Sequence, residues 1–228
     1  SFLLQHCIRP FRSVAYDKRI ERIDFDTQIT NHRIPERNTR AFYFSAYNAL
    51  YKDRATKFAL KCNALSNNAV VERLEEIYSL IYIDEVQDLA GYDLELIKLF
   101  FLSKSNVILA GDPRQTTYLT NHNGNKNKKY RDGKILDYLR DCKQLKDKYS
   151  VDSETLNNSW RCCEQICNYA SKIASDFSIM NPNLNYQNIN CGIFLVKMDD
   201  IMSFYEHNKN VMQLRWDKKN KNVVSSKV

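Results

Sequence analysis

The chain has 228 residues, of which 43% are hydrophobic, and its formal net charge is +7. This length and composition supply one substantial hydrophobic core. No segment resembles a signal peptide or an uninterrupted membrane span, so we expect a soluble, cytoplasmic protein. The positive charge favours an anionic partner such as nucleic acid, although moderately basic domains with other partners are common.

The seven cysteines do not follow a metal-binding or disulfide pattern, because no two of them form a C-x-x-C pair. The cluster RCCEQIC (161–167) offers thiols that could ligate a metal. Reduced thiols on a packed helix are the better interpretation. The four histidines are scattered and lack the spacing of helical metal ligands.

The first 76 residues are predicted to be mainly helical. Residues 1–11, SFLLQHCIRPF, have the composition of an apolar helix with no start signal before it. Residues 12–76 are charged, rich in helix formers and amphipathic, as in RAFYFSAYNALYKDRATKFALKCNALS (40–66). Helical periodicity is clear in this region and strand alternation is not, so we expect a helical subdomain.

The next segment predicts a strand, a helix and a second strand. LIYI (80–83) and NVILAG (106–111) are short apolar runs typical of fully buried parallel strands. Between them, GYDLELIKLFFLS (91–103) has apolar residues at helical spacing, among them Leu94 and Ile97. This order and spacing indicate a βαβ unit.

The remainder of the chain has weaker patterns. NHNGNKNKKYRDG (121–133) is a polar, basic loop. The elements predicted after it are a helix over about 133–147, a strand ending near Leu156, a helix through CEQICNYASKIASDF (163–177), a linker at NPNLNYQNIN (181–190), and a tail from 191 with the order strand, helix, strand.

Two carboxylates directly follow the first predicted strand, at Asp84 and Glu85, and Gln87 and Asp88 come next. In open parallel sheets, ligands bind outside the carboxyl ends of the strands. A carboxylate there can hold Mg²⁺ through its waters, and a neighbouring one can orient or deprotonate an attacking water. Acids that stabilise a helix N-terminus are the alternative, and this segment by itself supports both equally.

The second strand delivers further polar groups to the same predicted edge. VILAGDPRQTTY (107–118) runs into Gly111 and Asp112, and then reaches Gln115. The amide of Gln115 can both donate and accept, which suits a γ-phosphate or an attacking water. An ordinary β-turn built by Gly-Asp-Pro is the alternative. Because two neighbouring strands end in polar residues, a ligand site is favoured.

At this point the sequence resembles a known family. IYIDEVQDL (81–89) resembles motif II, or Walker B, of the UvrD/Rep-type superfamily 1 helicases, and VILAGDPRQTTY resembles their motif III. LNNSWRC (156–162) is similar to their motif IV, with Trp160 and Arg161 in the aromatic and arginine places and Ser159 in place of an asparagine. The order and spacing of the three motifs also agree.

The resemblance implies an α/β fold with a RecA-like (P-loop NTPase) parallel sheet flanked by helices, and a helical insertion subdomain. Residues 1–11 and 77–180 would form the first RecA-like domain, 1A. Residues 12–76 would be the 1B-like insertion, and residues 181–228 would contain the linker and the start of a second RecA-like domain.

The resemblance also implies ATP and Mg²⁺ as cofactors and DNA, preferentially single-stranded, as the partner. The implied site residues are Asp84 for Mg²⁺ and nucleotide, Glu85 for activation of water, Gln87 and Asp88 for coupling, Gln115 as a γ-phosphate sensor, and Arg161 as an arginine that reaches the γ-phosphate. Arg161 is therefore expected at the same sheet edge as Asp84 and Gln115.

The sequence departs from the family at the phosphate-binding loop. None of the five glycines fits G-x-x-x-x-G-K-[ST], and the backbone nest for phosphates cannot form without that sequence. The motifs of the second RecA-like domain are missing too. We therefore expect a fragment of a longer helicase that has no meaningful ATPase activity by itself.

The segment after motif III departs as well, because Thr120 and Asn121 stand where a base-stacking tryptophan is usual. Several residues could replace its contact with a single strand: Tyr118 or His122 as a stacking platform, or Lys126, Lys128 and Lys129 as backbone contacts. A solvated, flexible loop is an equally supported interpretation of the lysines.

Three functions follow from these patterns. The first is an ATP-dependent DNA helicase or translocase that moves 3′ to 5′ on single strands. The second is a UvrD-like nucleic-acid-binding ATPase of a bacterial antiviral or repair system, beside a nuclease or repair protein and without robust unwinding. The third is an inactive interaction module. A phosphate-binding loop encoded upstream would remove the third, and strand-displacement assays would separate the first two.

Overall fold

A computed structural model describes residues 1–30, 33–121, 124–175, 180–182 and 193–208. The chain divides into two compact units, Ser1–Val151 and Asp152–Val228. The helix that follows Arg161 therefore groups with the second unit, and the domain boundaries that the resemblance implies stay predictions. The two units are described separately.

The first unit begins with helical turns, as the sequence predicts for residues 1–11. A π-helix spans Leu3–Ile8, and a 3-10 helix spans Arg9–Val14. The elements that follow are β1 (Ile23–Asp24), α1 (Thr39–Tyr43), β2 (Leu50–Tyr51), α2 (Ala55–Leu65) and α3 (Ala69–Ile77). Asn67 and Asn68, both at positive φ, reverse the chain between α2 and α3, since asparagine tolerates the left-handed region.

Residues 12–76 were expected to be mainly helical, and they also contain two short strands, β1 and β2, which pair in parallel. Their two-residue length is too short for strand alternation to be visible in the sequence. A long-range hydrogen bond accompanies this pairing. The Ser45 hydroxyl donates it to the buried carboxylate of Asp24. Hydrogen bonds from Ser45 and from two backbone N–H groups lower the pKa of that carboxyl to about 2.

The predicted βαβ unit is confirmed. It consists of β3 (Leu80–Ile83), α4 (Tyr92–Phe101) and β4 (Asn106–Leu109). The two strands are parallel, with Leu80 opposite Asn106 and Ile83 opposite Leu109. The mixture of helices and parallel strands agrees with the predicted α/β class, and the full RecA-like sheet stays a prediction.

The two strands are not fully buried, contrary to expectation. Ile81 faces the core and is 8% exposed, whereas Tyr82 and Ile108 are 58% and 48% exposed. The strands therefore alternate between a covered and an open face, which is the pattern of a sheet packed on one side. Apolar residues on both faces made the sequence look like a doubly covered strand.

Helix α4 is buried on two sides and organises the core of the first unit. Leu96 and Phe100 pack into a cluster with the π-helix, α2, α3 and Ile81. Leu94 and Ile97 pack into a second cluster with α5 (Ile135–Asp141), which lies within the predicted helix 133–147. Because β3 and β4 flank α4 in sequence, this packing fixes where their carboxyl ends lie.

Glu95, on the partly exposed side of α4, is a charged anchor for the loop at 121–133. Its carboxylate accepts from Asn127 Nδ2 at 2.9 Å, from Lys98 Nζ at 2.9 Å and from Lys126 Nζ at 3.1 Å. Burial raises the pKa of this carboxyl, but these hydrogen bonds and charges outweigh it and lower the pKa to about 2. An unfolded glutamate titrates near pH ~4.3. The stability that the Glu95 carboxylate contributes is therefore fully present above this unfolded pKa, and it is lost as the pH falls through the folded-state pKa of about 2.

We expect Glu95→Gln to lower the free energy of unfolding by about 1–2 kcal/mol at pH 7, because glutamine cannot make charge-assisted contacts with both lysines. The deficit should shrink toward pH 2–3, where the wild-type carboxyl also becomes protonated. Urea unfolding across this pH range measures the difference, and Glu76→Gln, at an exposed position of α3, is the matched control. An equal deficit at pH 3 and pH 7 would contradict the assignment.

The second unit contains α6 (Glu164–Ile173) and α7 (Ile201–His207), which agree with the helices predicted there. The strand predicted to end near Leu156 is absent from the described residues, and that side chain is 81% exposed. A single parallel bridge joins Asn158 to Asn181 instead. Residues 193–197, the described part of the first tail strand, are not in a strand, and the last tail strand and most of the predicted linker lie outside the described residues.

The cysteine cluster differs from expectation at one position. Cys163 is disulfide-bonded, whereas Cys162 and Cys167 are reduced cysteines, as predicted. Cys163 is buried at the N-cap of α6. Among the described residues, no group of three or more potential ligands is placed so that it could hold a metal ion. No helix in the described ranges has the length and apolarity needed to cross a membrane.

Candidate functional site

The carboxyl ends of β3 and β4 lie side by side. Beyond the strands, the Ala110 N–H donates to the Ile83 carbonyl at 2.9 Å, and the Val86 N–H donates to the Ala110 carbonyl at 3.1 Å. Parallel pairing therefore continues into the polar residues. We call Asp84–Asp88 the acidic segment and Gly111–Gln115 the glycine turn. The sequence-predicted juxtaposition of the two segments is present in the structure.

Asp84 and Glu85 are both exposed at this edge. Glu85 adopts a left-handed backbone with φ of 54°, and its N–H donates to Asp84 Oδ1 at 2.9 Å. A positive φ is uncommon for glutamate and costs on the order of 1 kcal/mol, and such residues cluster at functional sites. With this backbone conformation β3 does not continue through Glu85, and the carboxylates of Asp84 and Glu85 are accessible to a ligand.

Gln87 links the acidic segment to the glycine turn through one buried amide. Its Nε2 donates to Glu85 Oε2 at 2.6 Å, and its Oε1 accepts from the Asp112 N–H at 3.2 Å. The side chain is 3% exposed. The amide therefore has a hydrogen-bond partner at both of its ends and orients Glu85, and the coupling role that the resemblance implies for Gln87 stays a prediction.

Gly111 is required by the close approach of the two segments. A Cβ at this position would lie 2.4 Å from Gln87 Oε1, 2.9 Å from Val86 Cγ2 and 3.1 Å from the Val86 nitrogen. Contacts below 3.0 Å cannot be kept without displacement of the neighbouring atoms. Any larger residue would therefore push the bridging amide away from Glu85.

Asp112 holds the side chains of the glycine turn. Its carboxylate accepts from Arg114 Nε at 2.8 Å and Nη2 at 3.0 Å, and from Gln115 Nε2 at 2.9 Å. Burial raises the pKa of this carboxyl, but these bonds outweigh it and lower the pKa overall. Gln115 is exposed, and a chain of hydrogen bonds runs from it through Asp112 and Gln87 to Glu85.

Asp88 contacts the residues after the glycine turn through its backbone. Its carbonyl accepts from the Thr120 N–H at 2.8 Å. Its Oδ1 atom is buried and has no hydrogen-bond partner within the described part of the chain. Asp88 is therefore hydrogen-bonded to the segment that carries Tyr118. This contact is made by the Asp88 main chain and not by its side chain.

The donor set at this edge fits Mg²⁺ but provides no cradle for a triphosphate. Mg²⁺ prefers oxygen ligands, keeps several waters and binds proteins through one or two carboxylates plus substrate phosphates. The exposed carboxylates of Asp84 and Glu85 meet this requirement, and a cluster of three ligands is not needed. The phosphate-binding sequence G-x-x-x-x-G-K-[ST] is not present in the chain.

Arg161 lies in the second unit, so its predicted position beside Asp84 and Gln115 stays a prediction. The residue is exposed, and its N–H donates to Ser159 Oγ at 3.3 Å. Ser159 Oγ also accepts from the Cys162 N–H at 2.9 Å, so this serine shapes the turn before α6. The strand that was expected to deliver Arg161 to a sheet edge is not formed.

The predicted nucleic-acid contacts have different surroundings. Lys126 pairs with Glu95 at 3.1 Å, and Lys129 pairs with Asp141 at 2.9 Å. Lys128 is exposed, and His122 lies outside the described residues. Tyr118 is 61% exposed, and its hydroxyl accepts from Lys52 Nζ at 3.2 Å. Two of the three lysines are thus already engaged by carboxylates, whereas the ring of Tyr118 remains accessible.

A cavity that the sequence did not predict lies beside Tyr118. Its volume is about 500 Å³, and its walls combine aromatic, aliphatic and charged side chains, including Phe25, Lys52, Leu89, Tyr92 and Tyr118. Phe25 is 65% exposed although it is strongly apolar. These residues come from distant parts of the sequence, so no local pattern could identify them.

Comparison with known proteins agrees with the family resemblance. Residues 17–127 match the family model of the UvrD/REP helicase N-terminal domain, a stretch that contains the acidic segment, the glycine turn and Tyr118. The RecBCD enzyme subunit RecB of Mycolicibacterium smegmatis is 29% identical over 111 residues, which cover 49% of this chain and 9% of RecB. The match thus spans less than a tenth of that relative.

Proposed function

We propose that this chain is part of an ATP-dependent DNA helicase or translocase that moves 3′ to 5′ on single-stranded DNA in the cytoplasm. The observation that carries the proposal is the connection of the acidic segment to the glycine turn through the Gln87 amide. The match of residues 17–127 to the UvrD/REP helicase N-terminal domain supports the same function.

In this proposal each residue of the edge has a distinct task. Asp84 holds Mg²⁺ through its waters, and the metal would neutralise charge on the β- and γ-phosphates of bound ATP. Glu85 accepts a proton from the attacking water, and Gln87 keeps that carboxylate oriented. Gln115 and Arg161 contact the γ-phosphate, where the forked guanidinium suits a redistributing negative charge.

The cavity beside Tyr118 supports the nucleic-acid part of the proposal. An exposed aromatic ring next to an ammonium group can stack a base and attract the adjoining phosphate. Lys52 Nζ lies 5.2 Å from the centre of the Tyr118 ring, so an ammonium group and an aromatic ring lie together at the cavity wall. Stacking of one base contributes about 1–3 kcal/mol.

A nucleic-acid-binding ATPase without robust unwinding is the second candidate. The relative RecB is named as a subunit of the RecBCD enzyme. We propose by analogy that a partner such as a nuclease or repair protein could assemble with this chain. An inactive interaction module is the third candidate, since the phosphate-binding loop is not in this sequence.

The experiment begins with the gene that encodes this chain together with a phosphate-binding loop. The purified full-length protein is expected to hydrolyse ATP faster with single-stranded DNA and to displace a strand from duplexes with a 3′ tail but not with a 5′ tail. DNA-stimulated hydrolysis without displacement on either tail would favour the second candidate. Absence of DNA-stimulated hydrolysis would contradict the proposal, and the 228-residue chain provides the negative control.

A further inference from the structure

We propose that Asp93 is a positioning residue that fixes the nucleic-acid-binding segment around Tyr118 against α2 and the acidic segment. This inference rests on the proposed function, because it assigns Tyr118 to single-stranded DNA. Asp93 itself does not line the hydrolysis edge. It would act through Thr120, to which it is hydrogen-bonded and which lies two residues after Tyr118.

The carboxylate of Asp93 joins three separate parts of the chain. Asp93 is in the first turn of α4, and its Oδ1 accepts from the hydroxyl of Thr56 in α2, while its Oδ2 accepts from the hydroxyl of Thr120. Both bonds are charge-assisted, which makes them stronger than bonds between neutral groups. One side chain therefore closes contacts over sequence separations of 37 and 27 residues.

Thr120 is also held on its other sides. Its hydroxyl oxygen accepts from the Ala90 N–H at 3.0 Å, and its own N–H donates to the Asp88 carbonyl at 2.8 Å. Leu119, the preceding residue, is buried. Thr120 is therefore hydrogen-bonded to Asp88, Ala90 and Asp93. Because Asp88 belongs to the acidic segment, these bonds couple the position of that segment to the position of Tyr118.

A second set of contacts binds the same segment to the beginning of α2. Asn121 Nδ2 donates to the Asp53 carbonyl at 3.1 Å, and Lys52 Nζ donates to the Tyr118 hydroxyl at 3.2 Å. Thr56, Asp93 and Thr120 all line the cavity beside Tyr118. The hydrogen bonds of Asp93 therefore form part of the cavity wall and set the distance between its two sides.

The environment of Asp93 explains why both threonines are needed. Burial raises the pKa of this carboxyl overall, and the hydrogen bonds from Thr120 and Thr56 offset only part of the effect of burial. Removal of either hydroxyl would leave a partly buried carboxylate oxygen without its partner, which is more costly than the loss of an exposed bond. The segment would then be expected to shift toward water.

The test uses the full-length protein and compares Thr120→Val with Thr120→Ser, which keeps the hydroxyl. We expect the valine variant to raise the concentration of single-stranded DNA for half-maximal ATPase stimulation about tenfold, a change of about 1.4 kcal/mol, with a smaller change in kcat at saturating DNA. The serine variant should restore most of the affinity. Thr117→Val, at an exposed position of the same segment, is the matched control.

Two further measurements make each outcome decisive. Thr56→Val should weaken DNA binding in the same direction, and the double variant should be less than additive because both hydroxyls act through Asp93. Amide hydrogen exchange should show faster exchange at the backbone N–H groups of Ala90 and of position 120 in Thr120→Val. If Tyr118→Ala weakens DNA binding but Thr120→Val does not, the inference is overturned while the proposed function stands.

A failure of the proposed function has a different signature. If Tyr118→Ala leaves DNA affinity unchanged, the assignment of Tyr118 to DNA fails. The exchange rates of Ala90 and Thr120 then decide the positioning role independently of DNA. Faster exchange in Thr120→Val and Thr56→Val supports it, and unchanged exchange in both variants overturns it.

Discussion

Replacement of Glu85 by glutamine in the full-length protein is expected to lower kcat for ATP hydrolysis by at least about 100-fold, which is the usual contribution of a general base. ATP affinity should remain within about threefold, because the change removes a proton acceptor and not a binding contact. Glutamine has the same size, and its carbonyl oxygen can still accept from Gln87 Nε2, as Glu85 does at 2.6 Å. The geometry of the edge should therefore be conserved.

Phosphate release and equilibrium binding of a fluorescent ATP analogue are the two measurements. Glu72→Gln, at an exposed position of α3, controls for the loss of one negative charge. If Glu85→Gln turns over ATP within a few-fold of the wild type, Glu85 is not the base. If ATP affinity collapses together with turnover, the residue holds nucleotide or metal, and the division of tasks between Asp84 and Glu85 is wrong.

Replacement of Gly111 by alanine is expected to have the largest effect on stability at this edge. The new Cβ would come within 2.4 Å of Gln87 Oε1 and 2.9 Å of Val86 Cγ2. The end of the Gln87 side chain can move, but it then loses its bonds to Glu85 and to the Asp112 N–H. We expect a loss of about 1–3 kcal/mol in the free energy of unfolding, which is usual for overpacking.

Chemical denaturation measures this loss, and Gly124→Ala is the control because the three nearest described atoms to its Cβ would belong to the Asn121 side chain, at 3.1 Å or more. The double variant Gly111→Ala with Gln87→Ala should recover part of the stability, since truncation of Gln87 removes the nearest clash. A Gly111→Ala variant as stable as the wild type would mean that the two segments lie farther apart than described.

The βαβ unit could be predicted from the sequence because its patterns are local. Apolar runs at 80–83 and 106–109 and helical spacing between them are visible within 30 residues, and family motifs place polar residues after each run. The Gln87 bridge could not be predicted, because it depends on the register that puts Val86 beside Ala110. A shift by one residue would separate the amide from Asp112.

Other features could not be predicted from the sequence, for different physical reasons. The strands β1 and β2 are two residues long, so tertiary pairing rather than alternation determines them. The hydrogen bonds of Asp93 and of Lys52 at the cavity wall join side chains that are 27 to 66 positions apart, and no sequence pattern reports such contacts. The expected position of Arg161 relied on a strand before Ser159, and the charged and polar residues at 152–159 do not form one.

The proposed function places ATP hydrolysis at the edge formed by Asp84, Glu85 and the glycine turn. The most direct test is a structure of the full-length protein with Mg²⁺, a transition-state analogue of ATP and single-stranded DNA. We predict that Mg²⁺ is held by the Asp84 carboxylate through its waters, and that a Glu85 oxygen lies within hydrogen-bond distance of the attacking water. A nucleotide bound away from the carboxyl ends of β3 and β4 would contradict the claim.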